Sequence, residues 1–341
     1  MPHGGRTEFG MTHREIAKLA NVSVSTVSKA LSDSREISSE TSEKIKRIAL
    51  EMGYFKEKSK RKIEYKKGKN PVIAVLCPEI ISIAYSIMVT HIKEYAEQRG
   101  GRVSVYIYDF SNDKISHGID SIVLSDEADG IVVIGGKVGD MPDLPMVYLG
   151  ETDDVRFDSV FHDNDAVMDT AVEHLMRLGH KKIGHVGETL TLGQLTEFRE
   201  TLEKYGLPFH RDWCYIINKR FEEIGYEAAE KFAAQKDRPT ALVCAYDEVA
   251  LAMIYRLGKL GISVPEDVSV IGKNDIPFAA YSAKPLTTIR MDYEKQCRTC
   301  IDLLFDRIYG DDGPARNIKI EHKLVIRETT AEYKEKKNAE N

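Results

Sequence analysis

From residue 72 onward, short apolar runs alternate with longer amphipathic stretches, and that alternation admits few folds. "VIAVLCP", "RVSVYIYD", "ADGIVVIGG", "PMVYLG", "KKIGHVG", "ALVCAYD" and "VSVIGKND" read as strands, with helical stretches such as "YSIMVTHIKEYAEQRGG" between them. Strands that are apolar throughout and separated by helices belong to parallel sheets covered on both faces. Two such halves, near 72–161 and 162–291, predict two α/β lobes. Small ligands bind such sheets at the carboxyl ends of the strands, so a cleft between the lobes is the expected binding place. The tail adds an amphipathic stretch, "YEKQCRTCIDLLFDRIYG", and a strand, "IEHKLVIRETT".

The first 70 residues have another character. They hold 16 of the 48 Lys/Arg and 9 of the 54 Asp/Glu, a net charge of +7, which leaves 32 against 45, a net of −13, in the remainder. A basic head on an acidic body predicts that the head meets a polyanion. No run of about 18 apolar residues occurs, so no spanning helix and no membrane partner are expected. The start, "MPHGGRTEFG", lacks a hydrophobic signal core. Five scattered cysteines, at 77, 214, 244, 297 and 300, then predict reduced thiols and a cytoplasmic protein.

Residues 12–55 read as three short helices. Thr12 to Glu15 has the spacing of a capping box, with Ile16, Ala17, Leu19 and Ala20 as the apolar side. Asn21 suits a left-handed residue closing this helix. Ser23 then caps "VSTVSKAL", whose inward side is Val27, Ala30 and Leu31. A third helix, from about Ser39 to Met52, is capped near Ser38, turns Ile45, Ile48 and Ala49 inward and ends at Gly53. The set predicts a helix-turn-helix unit. Its second helix is made of β-branched residues and serines, poor helix formers. Short hydroxyls and valine methyls do allow close approach to a DNA major groove, where they reach phosphates, base edges and thymine methyls.

"REIAKLANVSVSTVSKALSDSREISSETSEKIKRIALEMGY" resembles the DNA-binding head of the lactose/galactose repressor (LacI/GalR) family. The resemblance rests on Ile16-Ala17, Ala20, Val22-Ser23, Thr26-Val27-Ser28, Leu31, Ile37-Ser38, Thr41 and Gly53-Tyr54. It implies that Val24, Ser25 and Lys29 read bases, and that Ser23, Thr26, Ser28, Ser38, Thr41 and Tyr54 touch phosphate. Thr12 and, in the basic linker "FKEKSKRKIEYKKGKNP", Arg61 complete the expected DNA-facing set. In the family this linker folds into a hinge helix on DNA and wedges an apolar side chain into the minor groove. Ile63 stands at that position, while Lys56, Glu57 and Lys60 replace the family's usual Pro, Asn and Ala.

The body resembles the same family, through Asp129-Gly130, Asp163-Asn164, Gly179-His180, Val264-Pro265-Glu266-Asp267-Val268, "EFRETLEKYGLP" and "PLTTIRMD". The fold implied is an all-α helix-turn-helix head on two doubly wound parallel-sheet lobes, like those of periplasmic sugar-binding proteins. The implied domains are a head at 11–55, a hinge at 56–70 and an effector-binding, dimerising core at 71–331. Within the core, lobe one takes 72–161 plus about 292–325, and lobe two takes 162–291 plus the tail strand. Residues 332–341 form a charged tail without heptads, so no coiled-coil tetramer is expected.

The implied effector residues are Tyr85, Gln194, Phe221, Tyr246, Asp247, Asn274 and Asp275. Several depart from the family pattern. Gln194 stands for its sugar-binding arginine, Glu197 for a glycine, Tyr246 for the Asn of an Asn-Asp pair, Asn274 for an acid and Gly150 for an aspartate. Losing charged partners for sugar hydroxyls weakens the case for an ordinary monosaccharide, since charge-assisted hydrogen bonds are the strong ones.

Other signals carry little. Cys297-Arg-Thr-Cys300 has no second pair and fits two core positions on a helix. His174, His180 and His185 are irregularly spaced, "IGGKVG" lacks the features of a phosphate loop, and no nucleophile constellation appears. The expectation is a non-enzymatic, cytoplasmic, homodimeric repressor of double-stranded, pseudo-palindromic operators, without cofactor or metal. A small molecule in the cleft, acting as inducer or corepressor, or a protein corepressor would control it. A transport-type binding receptor is the rival, and it would call for a secretion signal.

Overall fold

The computed structural model describes residues 13–31, 37–51, 70–125, 127–136, 144–152 and 157–335. Its head is three helices, α1 (His13–Ala20), α2 (Val24–Leu31) and α3 (Ser39–Glu51). Asn21 adopts φ 57°, and its N–H bonds to the Lys18 carbonyl while Val22 N–H bonds to that of Ala17. This paired closure satisfies two orphan carbonyls of α1, and asparagine tolerates the left-handed conformation it needs. The Lys44 ammonium donates to the Ala20 carbonyl at 3.2 Å, adding a cation at the negative end of the helix. Thr26 N–H bonds to Ser23 Oγ at 3.1 Å and Thr41 N–H to Ser38 Oγ at 3.3 Å, so serines cap α2 and α3. Ile16, Ala17, Ala20, Val27, Ala30, Ile45 and Ala49 form the small core of the head.

After the head come β1 (Val72–Cys77), α4 (Ile83–Gln98), β2 (Arg102–Ile107), α5 (Asn112–Ser125), β3 (Gly130–Ile134), β4 (Met146–Leu149) and β5 (Asp158–His162). Next follow α6 (Asn164–Arg177), β6 (Ile183–Glu188), α7 (Leu192–Lys204), β7 (Cys214–Ile217), α8 (Glu222–Ala234), β8 (Ala241–Cys244), α9 (Asp247–Lys259) and β9 (Ser269–Asn274). The chain ends with α10 (Pro277–Tyr281), β10 (Thr288–Met291), α11 (Tyr293–Ile308), β11 (Asn317–Ile320) and β12 (His322–Val325).

Two units result: Met1–Ile81, Tyr85–Phe161 and Glu294–Ile318 make one, and Ser82–Ala84, His162–Tyr293 and Lys319–Asn341 the other. The lobe-one sheet runs β11-β5-β4-β3-β1-β2, with β1 to β5 parallel. Asp129 Oδ2 accepts from Val72 N–H at 2.8 Å, fastening the start of β3 to β1. A Cβ on Gly130 would come within 2.9 Å of Leu304 and Ile308, so glycine lets α11 lie close on the sheet.

The lobe-two sheet runs β12-β10-β9-β8-β6-β7. Its strands are parallel except β12, which pairs antiparallel with β10, Thr288 opposite Val325 and Met291 opposite His322. That pairing corrects the expected boundary. Residues 322–325 join the lobe-two sheet, because β12 finds its hydrogen-bonding partner in β10, while β11 closes the lobe-one sheet. Ser82–Ala84 also count with lobe two, where Ile83 packs on the apolar cluster around Val186, Phe232 and Val249.

Candidate DNA-reading head and ligand-facing lobe

On α2 the inward side is Val27 and Ala30, both buried, with Leu31 half-buried. Val24, Ser25, Ser28 and Lys29 are exposed, and their spacing puts them on one face of the helix. Val24 leaves 43% of its surface in water. Ser23 Oγ lies 2.7 Å from both Ser25 Oγ and Thr26 Oγ1, which groups three hydroxyls at the start of the helix. Ser38 Oγ donates to Thr41 Oγ1 at 2.8 Å at the start of α3. Thr12, Tyr54, Arg61 and Ile63 lie outside the described residues, as does the linker up to residue 69.

In lobe two the strand order reverses between β6 and β8, and a doubly wound sheet opens a crevice at such a point. The chain places Glu188 there, at the end of β6, and Tyr246, just past β8. Tyr246 Oη donates to Glu188 Oε1 at 2.7 Å and accepts from Phe221 N–H at 3.2 Å. Burial and then the Glu188 charge hold the Tyr246 proton on well past its ordinary range. Arg220 Nε stands 3.2 Å from Glu188 Oε2, and its guanidinium lies 4.7 Å from the centre of the Phe221 ring. Phe221 itself, at φ 51° before α8, meets Tyr246 edge-on at 6.1 Å. The group offers aromatic surface backed by a matched acid and base.

Asn274 ends β9 and Asp275 follows it, and both have positive φ. Asn274 Oδ1 accepts from Tyr293 Oη at 2.8 Å. Asp275 accepts from Arg290 Nε and from Arg327 Nη2, each at 2.6 Å, and Arg327 also holds the Leu286 carbonyl. Gln194 is half-buried in the first turn of α7.

One of the expected effector residues in lobe two does not join this group. Asp247 is wholly buried, accepting from Thr288 Oγ1 at 2.6 Å and Ile276 N–H at 2.8 Å. Burial pushes its pKa up to about 8, against those two hydrogen bonds. It braces the turn after β9 from within, with no oxygen presented to a ligand. Tyr85 belongs to lobe one, where its ring packs against Phe110 at 6.3 Å.

Glu188, Arg220 and Lys273 escaped sequence reasoning. Lys273 had a usable signal, a basic residue inside the strand "VSVIGKND". Glu188 and Arg220 had none, since each gains its meaning from a partner on another strand or loop.

His180 Nδ1 sits 2.9 Å from Thr240 Oγ1, with Nε2 3.0 Å from Ser269 Oγ, and His174 Nε2 lies 2.9 Å from Thr330 Oγ1. His180 Nε2 also lies 3.1 Å from the Ala331 carbonyl oxygen, so both histidines hold the tail against lobe two. Cys297 and Cys300 are wholly buried, and burial pushes both thiols far up. Among the described residues no cluster fit for a metal occurs, and no helix is long and apolar enough to cross a membrane.

The family described as bacterial regulatory proteins, lacI family, matches residues 12–57, and the periplasmic binding protein-like domain matches residues 172–330. The HTH-type transcriptional repressor PurR of Vibrio parahaemolyticus serotype O3:K6 (strain RIMD 2210633) is 27% identical over 333 residues, 93% of this chain and 98% of that one. The lac repressor dimer bound to operator and the anti-inducer ONPF superposes with a TM-score of 0.69 at 23% identity, over 95% of this chain and 100% of that one. A complex of the transcriptional regulator CelR with cellobiose gives 0.66 at 22% identity, over 94% and 99%. The chain thus joins a lacI-family DNA-binding domain to a periplasmic-binding-protein-like domain, and its relatives over nearly its whole length are PurR repressors.

Proposed function

We infer that the chain is a repressor that binds a pseudo-palindromic operator as a homodimer in the cytoplasm and answers to a small molecule held at the strand ends of its lobes. The observation that carries this reading is the face of α2. Four exposed residues, Val24, Ser25, Ser28 and Lys29, stand where a recognition helix meets base edges and phosphates. PurR relatives that match almost end to end support repression, and the lac repressor dimer on operator supports the two-fold arrangement. Ile63 then takes the role of minor-groove wedge, its unstacking cost offset by contacts that the kink allows. Phe221 and Tyr246, with Glu188 and Arg220 behind them, support a planar or partly apolar effector over a simple sugar.

Selection of binding sites from a random duplex library by the full chain tests the reading. Inverted half-sites should emerge, and Lys29→Ala should relax one position in each, at about 1–3 kcal/mol. Equal binding to all sequences would overturn the assignment. Adding ligands to the preformed complex separates release, as by an inducer, from tightening, as by a corepressor.

A further inference from the structure

We propose that the effector of lobe two carries an anionic group, a phosphate or a carboxylate, and that the Lys273 ammonium receives it. The inference rests on the reading of lobe two as an effector site and names the chemistry of its ligand.

Strand periodicity sets the argument up. Ile271 and Lys273 of β9 point to the same face of the sheet, as do Ile183 and His185 of β6. The register aligns His185 with Val243, Val243 with Ile271, and Lys273 with Ile289. That face is otherwise an apolar core, in which Ile183, Val243, Ile271 and Ile289 pack with Val172 of α6 and Phe198 of α7. Packing alone calls for an aliphatic or aromatic residue at 273. An ammonium there is costly unless an opposite charge compensates it.

At this end of the sheet several other charges have such partners. Glu188 faces Arg220 and Tyr246, Asp275 faces Arg290 and Arg327, and Asp163 faces Lys319. Lys273 differs. Its one hydrogen bond runs 3.5 Å to Asn164 Oδ1, at the start of α6. Among the described residues no carboxylate comes within the 4.0 Å of an ion pair.

Lys273 lowers the proton affinity of His162, His185 and His322, each already depressed by burial. Burial lowers that of Lys273 itself, and Glu197 of α7 is the acid that opposes the effect from beyond contact distance. A neutral hydroxyl could accept a hydrogen bond from this amine but would leave its charge unmatched. A phosphate or carboxylate oxygen supplies both the acceptor and the countercharge.

Thermal melts of the full chain test this with paired probes: glucose and glucose 6-phosphate, ribose and ribose 5-phosphate, glucose and gluconate, and inorganic phosphate alone. Without ligand, Lys273→Met should melt above the parent, because the substitution removes an unmatched, half-buried charge from an otherwise apolar face. A melt below the parent would make Lys273 a structural prop and overturn the proposal.

With ligand, the anionic member of at least one pair should raise the melting temperature more than its neutral partner. Lys273→Met should then weaken that binding roughly tenfold or more, and Lys273→Arg should keep most of it. The phosphate and carboxylate pairs tell the two anions apart. Equal shifts from neutral and anionic members, or a shift that survives Lys273→Met, would overturn the anion while leaving the effector site standing. Silence across all pairs would overturn both readings.

Discussion

His185 is a base sealed inside a sheet, stacked 5.4 Å from the Phe198 ring. Burial, and then the nearby Lys273 charge, push its pKa down to about 4 from an ordinary 6.5. Below pH 6.5 the unfolded chain therefore takes up a proton that the folded chain refuses, and stability falls as the pH drops toward 4. His185→Phe removes that uptake. Its stability relative to the parent should rise by about 3 kcal/mol between pH 7 and pH 4. Denaturant unfolding followed by Trp213, the single tryptophan and buried in lobe two, checks this, and the comparison cancels the parallel titration of His162. A difference that does not change with pH would mean that the imidazole is not held neutral. At this scale the sequence misleads most. Asp247 and Asp275 look alike as strand-end acids, yet Asp247 is absorbed by Thr288, 41 positions away, and Asp275 by Arg327, 52 away. No local pattern encodes such partners.

The elements of the head were legible because their signals are local. Asn21, Ser23 and Ser38 sit within a few residues of the groups they bond. The same logic explains how α2 persists with so many β-branched residues and serines. Its cap and its packing against α1 and α3 supply what propensity withholds. Ser23→Ala removes the cap and should cost the head about 1 kcal/mol. Hydrogen exchange of the α2 amides should speed up about fivefold, since a kcal/mol is about that factor in the opening equilibrium. Unchanged exchange would show that water replaces the hydroxyl without loss. The direction of β12 was not legible. An apolar tail strand can pair either way and with either sheet, and only its register against β10 decides.

Across the whole molecule, charge is segregated by role, and that much was visible in the sequence. Residues 1–70 carry a net +7 and the rest a net −13. An acidic body repels the DNA that the head approaches, so nonspecific adhesion through the lobes is suppressed and the head orients the encounter. Binding should then be dominated by counterions released from phosphates under the basic head, and a dimer would double their number. If six to ten phosphates are neutralised, raising salt from 50 to 200 mM should weaken operator binding by about 10³- to 10⁵-fold. Measuring affinity against salt for the parent and for Lys29→Ala makes the test specific. A base-reading Lys29 should leave the slope nearly unchanged while relaxing sequence preference, whereas a phosphate-contacting one should lower the slope by about one and weaken all sequences alike. The resemblance to known heads puts Lys29 at a base-reading position, so the first outcome is expected, and the second would shift sequence reading to Val24 and Ser25.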